Sequence, residues 1–320
     1  METNNTIDNE QTENNEKTSR QKRKFGDNFL VLYIEVFAMV LLGQMLGSFL
    51  VGLGTGIISG FVPQIEKSEA AQTGGMYIIF IGIWIFALLC IGLGRNERPI
   101  LRTLFTKPKG NTPLMLLLGV VIGFGMNGFC ILLAWLNKDI VLYFDSFQPL
   151  SLIIIFITVF IQSSAEELVC RGYLYQKLRK GYKSPVVAIV GNSLFFAILH
   201  LGNEGVTVLS IINIFLVGIF CSLIVYYMDS LWCAFAVHTA WNFTQNIVFG
   251  LPNSGIVVPF SIFKLDASTA TNSFAYNVGF GIEGTIVADV VFLVGCVALF
   301  FWGRKFGKEP YDVWAEEKAV

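Results

Sequence analysis

Charge is scarce in this sequence. Asp, Glu, Lys and Arg make up 14% of its 320 residues, where a soluble domain carries about a quarter. Hydrophobic residues make up 54%, with a mean hydropathy of +0.63. That balance excludes an ordinary soluble domain and predicts a polytopic membrane protein. The net charge of -1 offers no excess of either sign to attract nucleic acid or a highly charged partner. Histidine occurs twice. None of the six cysteines has CxxC spacing, and Cys90, Cys130, Cys170, Cys221, Cys233 and Cys296 all fall in or beside apolar runs. They read as small core residues rather than bridges or metal ligands.

What is present is a series of apolar runs. At about 20 residues per crossing, eight spans are predicted at 29–59, 75–94, 112–136, 148–170, 185–203, 206–228, 231–250 and 282–303. The first is long and glycine-rich after Gly43, so an early end or a re-entrant turn is expected there. With the N-terminus inside, 19 of the 22 basic residues fall in inner loops or tails, and only Lys67, Lys138 and Lys264 fall outside. The positive-inside rule therefore supports eight spans with both termini cytoplasmic. The expected fold is all-α, a transmembrane bundle of about eight spans around a central cavity. Residues 1–28 read as a disordered tail ending in a basic cluster, 29–306 as the membrane domain, and 307–320 as a cytoplasmic tail. The first apolar run is too long for a signal peptide and lacks a small-residue cleavage site. The outer segment 251–281 mixes Pro, Asn, Ser and Thr with apolar residues and reads as a loop on the membrane surface.

Against that background the expensive residues stand out. The stretch SSAEELVCRGYL places Glu166, Glu167 and Arg171 at or inside the fourth span, where a charge costs roughly 2.5 to 3.5 kcal/mol on insertion scales. His200 ends FFAILH in the fifth span and His238 sits in AVHTAWNF in the seventh. Each has a partner four residues away: Phe196 with His200, His238 with Asn242, Glu167 with Arg171. Residues i and i+4 share a helix face, so three spans each offer a face of matched groups that a bundle can turn toward one cavity. Taken singly these residues have structural readings, as an internal ion pair or as interhelical hydrogen bonds. Asn127, Asn192 and Asn213 are read that way, as are the lone acids Glu35 and Asp289. The case for chemistry rests on the conjunction.

A carboxylate in an apolar site is harder to ionise, which suits it to act as a general base near neutral pH. An imidazole can orient or polarise a water, and a second imidazole with an amide NH2 can donate to a developing oxyanion. That is a set for adding water to a carbonyl, as in peptide hydrolysis. No serine or cysteine has a base beside it to suggest a covalent route. HExxH, GxGD and GxSG are all absent, which removes the zincin, paired-aspartate and serine-histidine types of membrane protease.

The three motifs, EELVCR, FAILH and HTAWN, match EExxxR, FxxxH and HxxxN in that order. Together they resemble the type II CAAX prenyl endopeptidases and the bacterial CPBP (ABI) membrane proteases, over about 148–250. The resemblance implies an intramembrane endopeptidase core. Glu166 would activate water, His200 would assist it, and His238 and Asn242 would form the oxyanion site. Glu167 and Arg171 would complete the first motif, Arg171 as a structural residue. Two versions of the chemistry stay open: one with no cofactor, and one with a divalent metal such as zinc held by Glu166, His200 and His238. The implied partners are the lipid bilayer and a peptide or protein substrate, with or without a lipid modification. A bacterial cytoplasmic membrane and a role in peptide maturation or bacteriocin self-immunity are expected. The competing readings are a non-enzymatic immunity or regulatory partner, and a transporter using the paired acids as a proton relay.

Overall fold

The computed structural model describes residues 28–182, 184–307 and 309–315. The predicted disorder of the N-terminal tail falls almost wholly outside them. Helix starts follow local capping chemistry, a side-chain oxygen accepting from a free backbone N–H of the first turn. Asn28 caps α1 (Phe29–Phe61), Ser68 caps α2 (Glu69–Ile78), and Thr112 caps α4 (Pro113–Leu136). Between them, α3 (Ile81–Leu93) continues the line of α2. Next come α5 (Pro149–Glu167), a π-helical turn over Leu168–Leu174, and α6 (Tyr175–Gly181). Beyond these lie α7 (Pro185–Leu199), α8 (Val208–Met228, with a Thr207/Ser210 capping box) and α9 (Leu231–Asn242, capped by Ser230). A second π turn covers Phe243–Val248, and α10 (Ile286–Phe306), capped by Thr285, ends the bundle.

These helices form eight runs that pass back and forth between two loop clusters. At one end Asp229 accepts from Lys109 N and Tyr311 N, and Trp314 donates to the Gln176 carbonyl. At the other, Ser273 donates to Asp139, Asn203 donates to the Ser254 carbonyl, and Lys264 pairs with Glu69 and Asp145. A short antiparallel pair, β1 (Leu142–Phe144) with β2 (Phe263–Leu265), closes this second end in the register Leu142↔Leu265.

Two sequence expectations change. First, among the described residues six of the eight runs are long and apolar enough to cross a membrane, so the span count is six rather than eight by that measure. The other two are α7, whose 15 residues reach only about 22 Å, and the run of α9 with its π turn, which carries Thr239, Asn242, Thr244, Gln245 and Asn246. These two are the helices that carry the histidines. Second, α1 does not stop at its glycines but runs unbroken for 33 residues. Gly43 and Gly47 face Ile79, Gly82 and Ile83, where a Cβ on Gly47 would lie 1.7 Å from the Ile79 carbonyl oxygen. The small residues permit helix contact rather than end the helix. The outer segment 251–281 folds over the end of the bundle and buries Leu251, Phe260, Tyr276 and Phe280.

Candidate active site

At the centre lies α9, buried along nearly its whole length. Gly119 and Gly123 of α4 sit directly against its backbone at Cys233 and Val237. Beside it run α5, buried toward its C-terminal end, and the fully buried π turn after it. The two π turns begin immediately after Glu167 and Asn242. An extra residue in a helical turn rotates the rest of the helix and frees local backbone groups, which is why such turns gather at working sites. Nothing in either stretch of sequence announced them.

Four of the six predicted residues, Glu166, His200, His238 and Asn242, line one cavity of about 390 Å³. They come from α5, the C-cap of α7, and α9, so helices distant in sequence converge as expected. The cavity wall also includes Gln162, Asn203, Asn246, Asn253, Ser254 and Glu283, and on its apolar side Phe37, Val40 and Leu41 of α1.

The remaining two, Glu167 and Arg171, do not line the cavity. They form a fully buried ion pair at 2.9 Å behind His238, with the Arg171 guanidinium 4.7 Å from the Phe196 ring centroid. Glu167 Oε1 also meets His238 Nδ1 at 3.0 Å. With the carboxylate accepting from Nδ1–H, the His238 Nε2 is turned toward the cavity, where Glu166 Oε2 lies 3.7 Å away. His200 is oriented in the same manner. Its Nδ1 lies 2.8 Å from the Phe196 carbonyl, which fixes the proton there. The acids adjacent in sequence therefore divide the work, Glu166 facing the cavity and Glu167 orienting an imidazole.

Asn242 is tied on three sides. Its Nδ2 donates to Gln162 Oε1 at 3.0 Å and to Ser163 Oγ at 3.3 Å, and its Oδ1 accepts from Asn253 Nδ2 at 3.1 Å. Gln162 Nε2 in turn donates to Glu166 Oε1 at 2.7 Å. Sequence reasoning passed over Gln162, although it stands at the same i, i+4 spacing from Glu166 that flagged the other pairs. It also passed over Asn253 and Glu283, which lie beyond the three motifs. Glu283 accepts from Trp241 Nε1 at 2.8 Å and from Gln245 Nε2 at 2.6 Å, both from the helical run that carries His238. Burial raises its carboxyl above the usual 4.5, and those donors oppose the rise.

Among the described residues no three His, Cys, Asp or Glu side chains are grouped so as to hold a metal ion. The donor set as placed does not fit a three-ligand zinc centre. Three of the five residues read as structural from the sequence make hydrogen bonds to other helical runs: Asn192 bonds Ser222 at 3.1 Å, Asn127 bonds Gln245 at 2.7 Å, and Glu35 accepts from Tyr173 at 2.6 Å.

Comparison with known proteins agrees with the motifs. Residues 148–244, from the start of α5 to the opening of the second π turn, match the family described as type II CAAX prenyl endopeptidase Rce1-like. No curated protein matches the chain. The matched segment contains every residue of the three motifs, and over it the chain is similar to that family.

Proposed function

We propose that this protein is an endopeptidase of the cell membrane that hydrolyses a peptide bond with water activated by Glu166 and His200. The observation that carries the reading is the convergence of Glu166, His200, His238 and Asn242 from three helices on one cavity inside the bundle. Glu166 takes a proton from the water as the water oxygen adds to the carbonyl carbon, and His200 holds that water. His238 has a carboxylate at each nitrogen, so it can carry a proton on both and donate Nε2–H to the oxyanion. Asn242 completes the oxyanion site by exchanging its bond to Ser163 for one to the substrate oxygen. When the intermediate collapses, the C–N bond breaks and the proton held by Glu166 passes to the leaving amine.

The cavity's apolar wall suits a peptide with an apolar or lipid-modified end. Both termini face the cytoplasm in this reading, since the loops at that end hold most of the basic residues. Peptide maturation or bacteriocin self-immunity in a bacterial cytoplasmic membrane is the matching role.

The test is cleavage of a quenched-fluorescence peptide library by the detergent-purified protein, beside Glu166→Ala and with a strong zinc chelator. Cleavage by the parent that survives chelator and vanishes in the variant is expected. A folded Glu166→Ala protein that cleaves as the parent does overturns the assignment. Cleavage by neither protein points to a non-enzymatic membrane partner.

A further inference from the structure

Gln162 is assigned no part by the three motifs, yet it is the residue bonded directly to the cavity-facing carboxylate. It is 7% exposed and sits one helical turn before Glu166. Its side chain lines the same cavity. The hydrogen bonds around it fix which way its amide faces. Oε1 accepts from Asn242 Nδ2 at 3.0 Å and from Ser163 Oγ at 3.1 Å, which occupies both of its lone pairs. Nε2 donates to Glu166 Oε1 at 2.7 Å. Turned over, the amide would set its oxygen against the carboxylate oxygen and its NH2 against the NH2 of Asn242, two repulsive contacts in place of two bonds. Asn242 is fixed in the same way, because its Oδ1 accepts from Asn253 Nδ2 at 3.1 Å. Three amides therefore donate in one direction, Asn253 to Asn242 to Gln162 to Glu166.

We propose that Gln162 is a positioning residue of this site, and that with Asn242 and Asn253 it forms an amide relay linking the outer segment to the water-activating carboxylate. The inference rests on the reading of Glu166 as that group. The relay ends on Oε1, so Oε1 is occupied and Oε2 is the oxygen presented to His238 and to water. A charge-assisted bond of this kind is among the stronger ones a carboxylate makes, and it holds the rotamer that aims Oε2. The relay begins in the segment that caps the cavity, since Asn253 belongs to the stretch folded over the end of the bundle. Seating of that segment is thereby connected to the orientation of Glu166.

The test compares Gln162→Leu and Asn253→Leu with the parent by two readouts. In peptide cleavage, Gln162→Leu is expected to lower kcat about 10- to 100-fold, the usual effect of losing an orienting partner, with KM within about threefold because substrate contacts persist. Asn253→Leu is expected to lower kcat in the same sense but less. The second readout needs no substrate. The infrared difference between parent and Glu166→Gln isolates the Glu166 carboxylate bands, and the antisymmetric stretch is expected to move in Gln162→Leu as its donor is lost. Unchanged kcat with an unmoved band overturns the proposal, as does a fall confined to KM. Should Gln162→Leu fail to fold, Asn253→Leu at the cavity rim carries both readouts. A parent that cleaves no peptide removes the proposed activity, while the band position still decides whether Gln162 orients Glu166.

Discussion

Arg171 is the most informative position for stability. Its guanidinium and the Glu167 carboxylate are both fully buried and meet at 2.9 Å. The pair is not fully satisfied, since Arg171 Nε, Arg171 Nη2 and Glu167 Oε2 have no hydrogen-bond partner among protein groups. A buried pair of this kind is poor evidence of net stabilisation, because desolvating both charges offsets most of their attraction. Removing one partner is a different matter. In Arg171→Met, Glu167 keeps only the His238 Nδ1–H, and an uncompensated buried carboxylate of this type costs on the order of 3 to 5 kcal/mol. Loss of the guanidinium over the Phe196 ring adds roughly 1 kcal/mol. The double variant Arg171→Met with Glu167→Gln removes both charges, and Gln Oε1 can still accept from His238 Nδ1. It is expected to recover more than half of the lost stability while remaining slow in cleavage, because His238 Nδ1 no longer has an anionic partner. Reversible unfolding in mixed micelles of a mild detergent and dodecyl sulfate, followed by tryptophan fluorescence, measures all three proteins. A single variant as stable as the parent would refute the reasoning, as would a double variant no better than the single.

The same structure sets other outcomes. Gly47→Val should fail to give a monodisperse protein on size exclusion, because its side chain meets the backbone of the 79–82 stretch, whereas Gly54→Val, with open space around it, should behave as the parent. Asn111 donates to the Thr103 and Phe105 carbonyls and accepts from Leu231 N and Trp232 N; Asn111→Leu should destabilise by on the order of 3 kcal/mol through the buried groups left unpaired, read in the same micelle titration. Glu283 lies outside the spanning helices and burial raises its carboxyl above 4.5. Folding then favours its protonated form, so its contribution is fully present below that pH and is lost as pH rises through the folded value. Melting curves across this window should show the parent losing ground to Glu283→Gln as pH increases, and parallel curves would refute the assignment. His200→Ala should reduce kcat by about 10²- to 10⁴-fold, the usual contribution of such a group, without loss of folded protein.

The sequence alone determined the class of molecule and picked out four residues that the structure brings to one cavity. Apolar runs separated by basic and polar turns dictate a helix bundle, because backbone groups in lipid must be satisfied within each segment. The cost of charge in that setting singled out Glu166, Glu167, Arg171, His200 and His238, and i, i+4 spacing attached Asn242 to the last of them. Local pattern could not decide which helices are sheathed by others. Thus α7 and the α9 run read as spans like the rest, and only packing shows α9 as a short central element surrounded by longer ones. Nor could it assign different tasks to two adjacent glutamates. Neighbours on a helix point about 100° apart, and it is the placement of α9 that gives Glu166 the cavity and Glu167 the far nitrogen of His238. Gln162 and Asn253 enter for the same reason: each works through a bond to another helix or to the capping segment, and such partners are fixed by tertiary contact rather than by spacing along the chain.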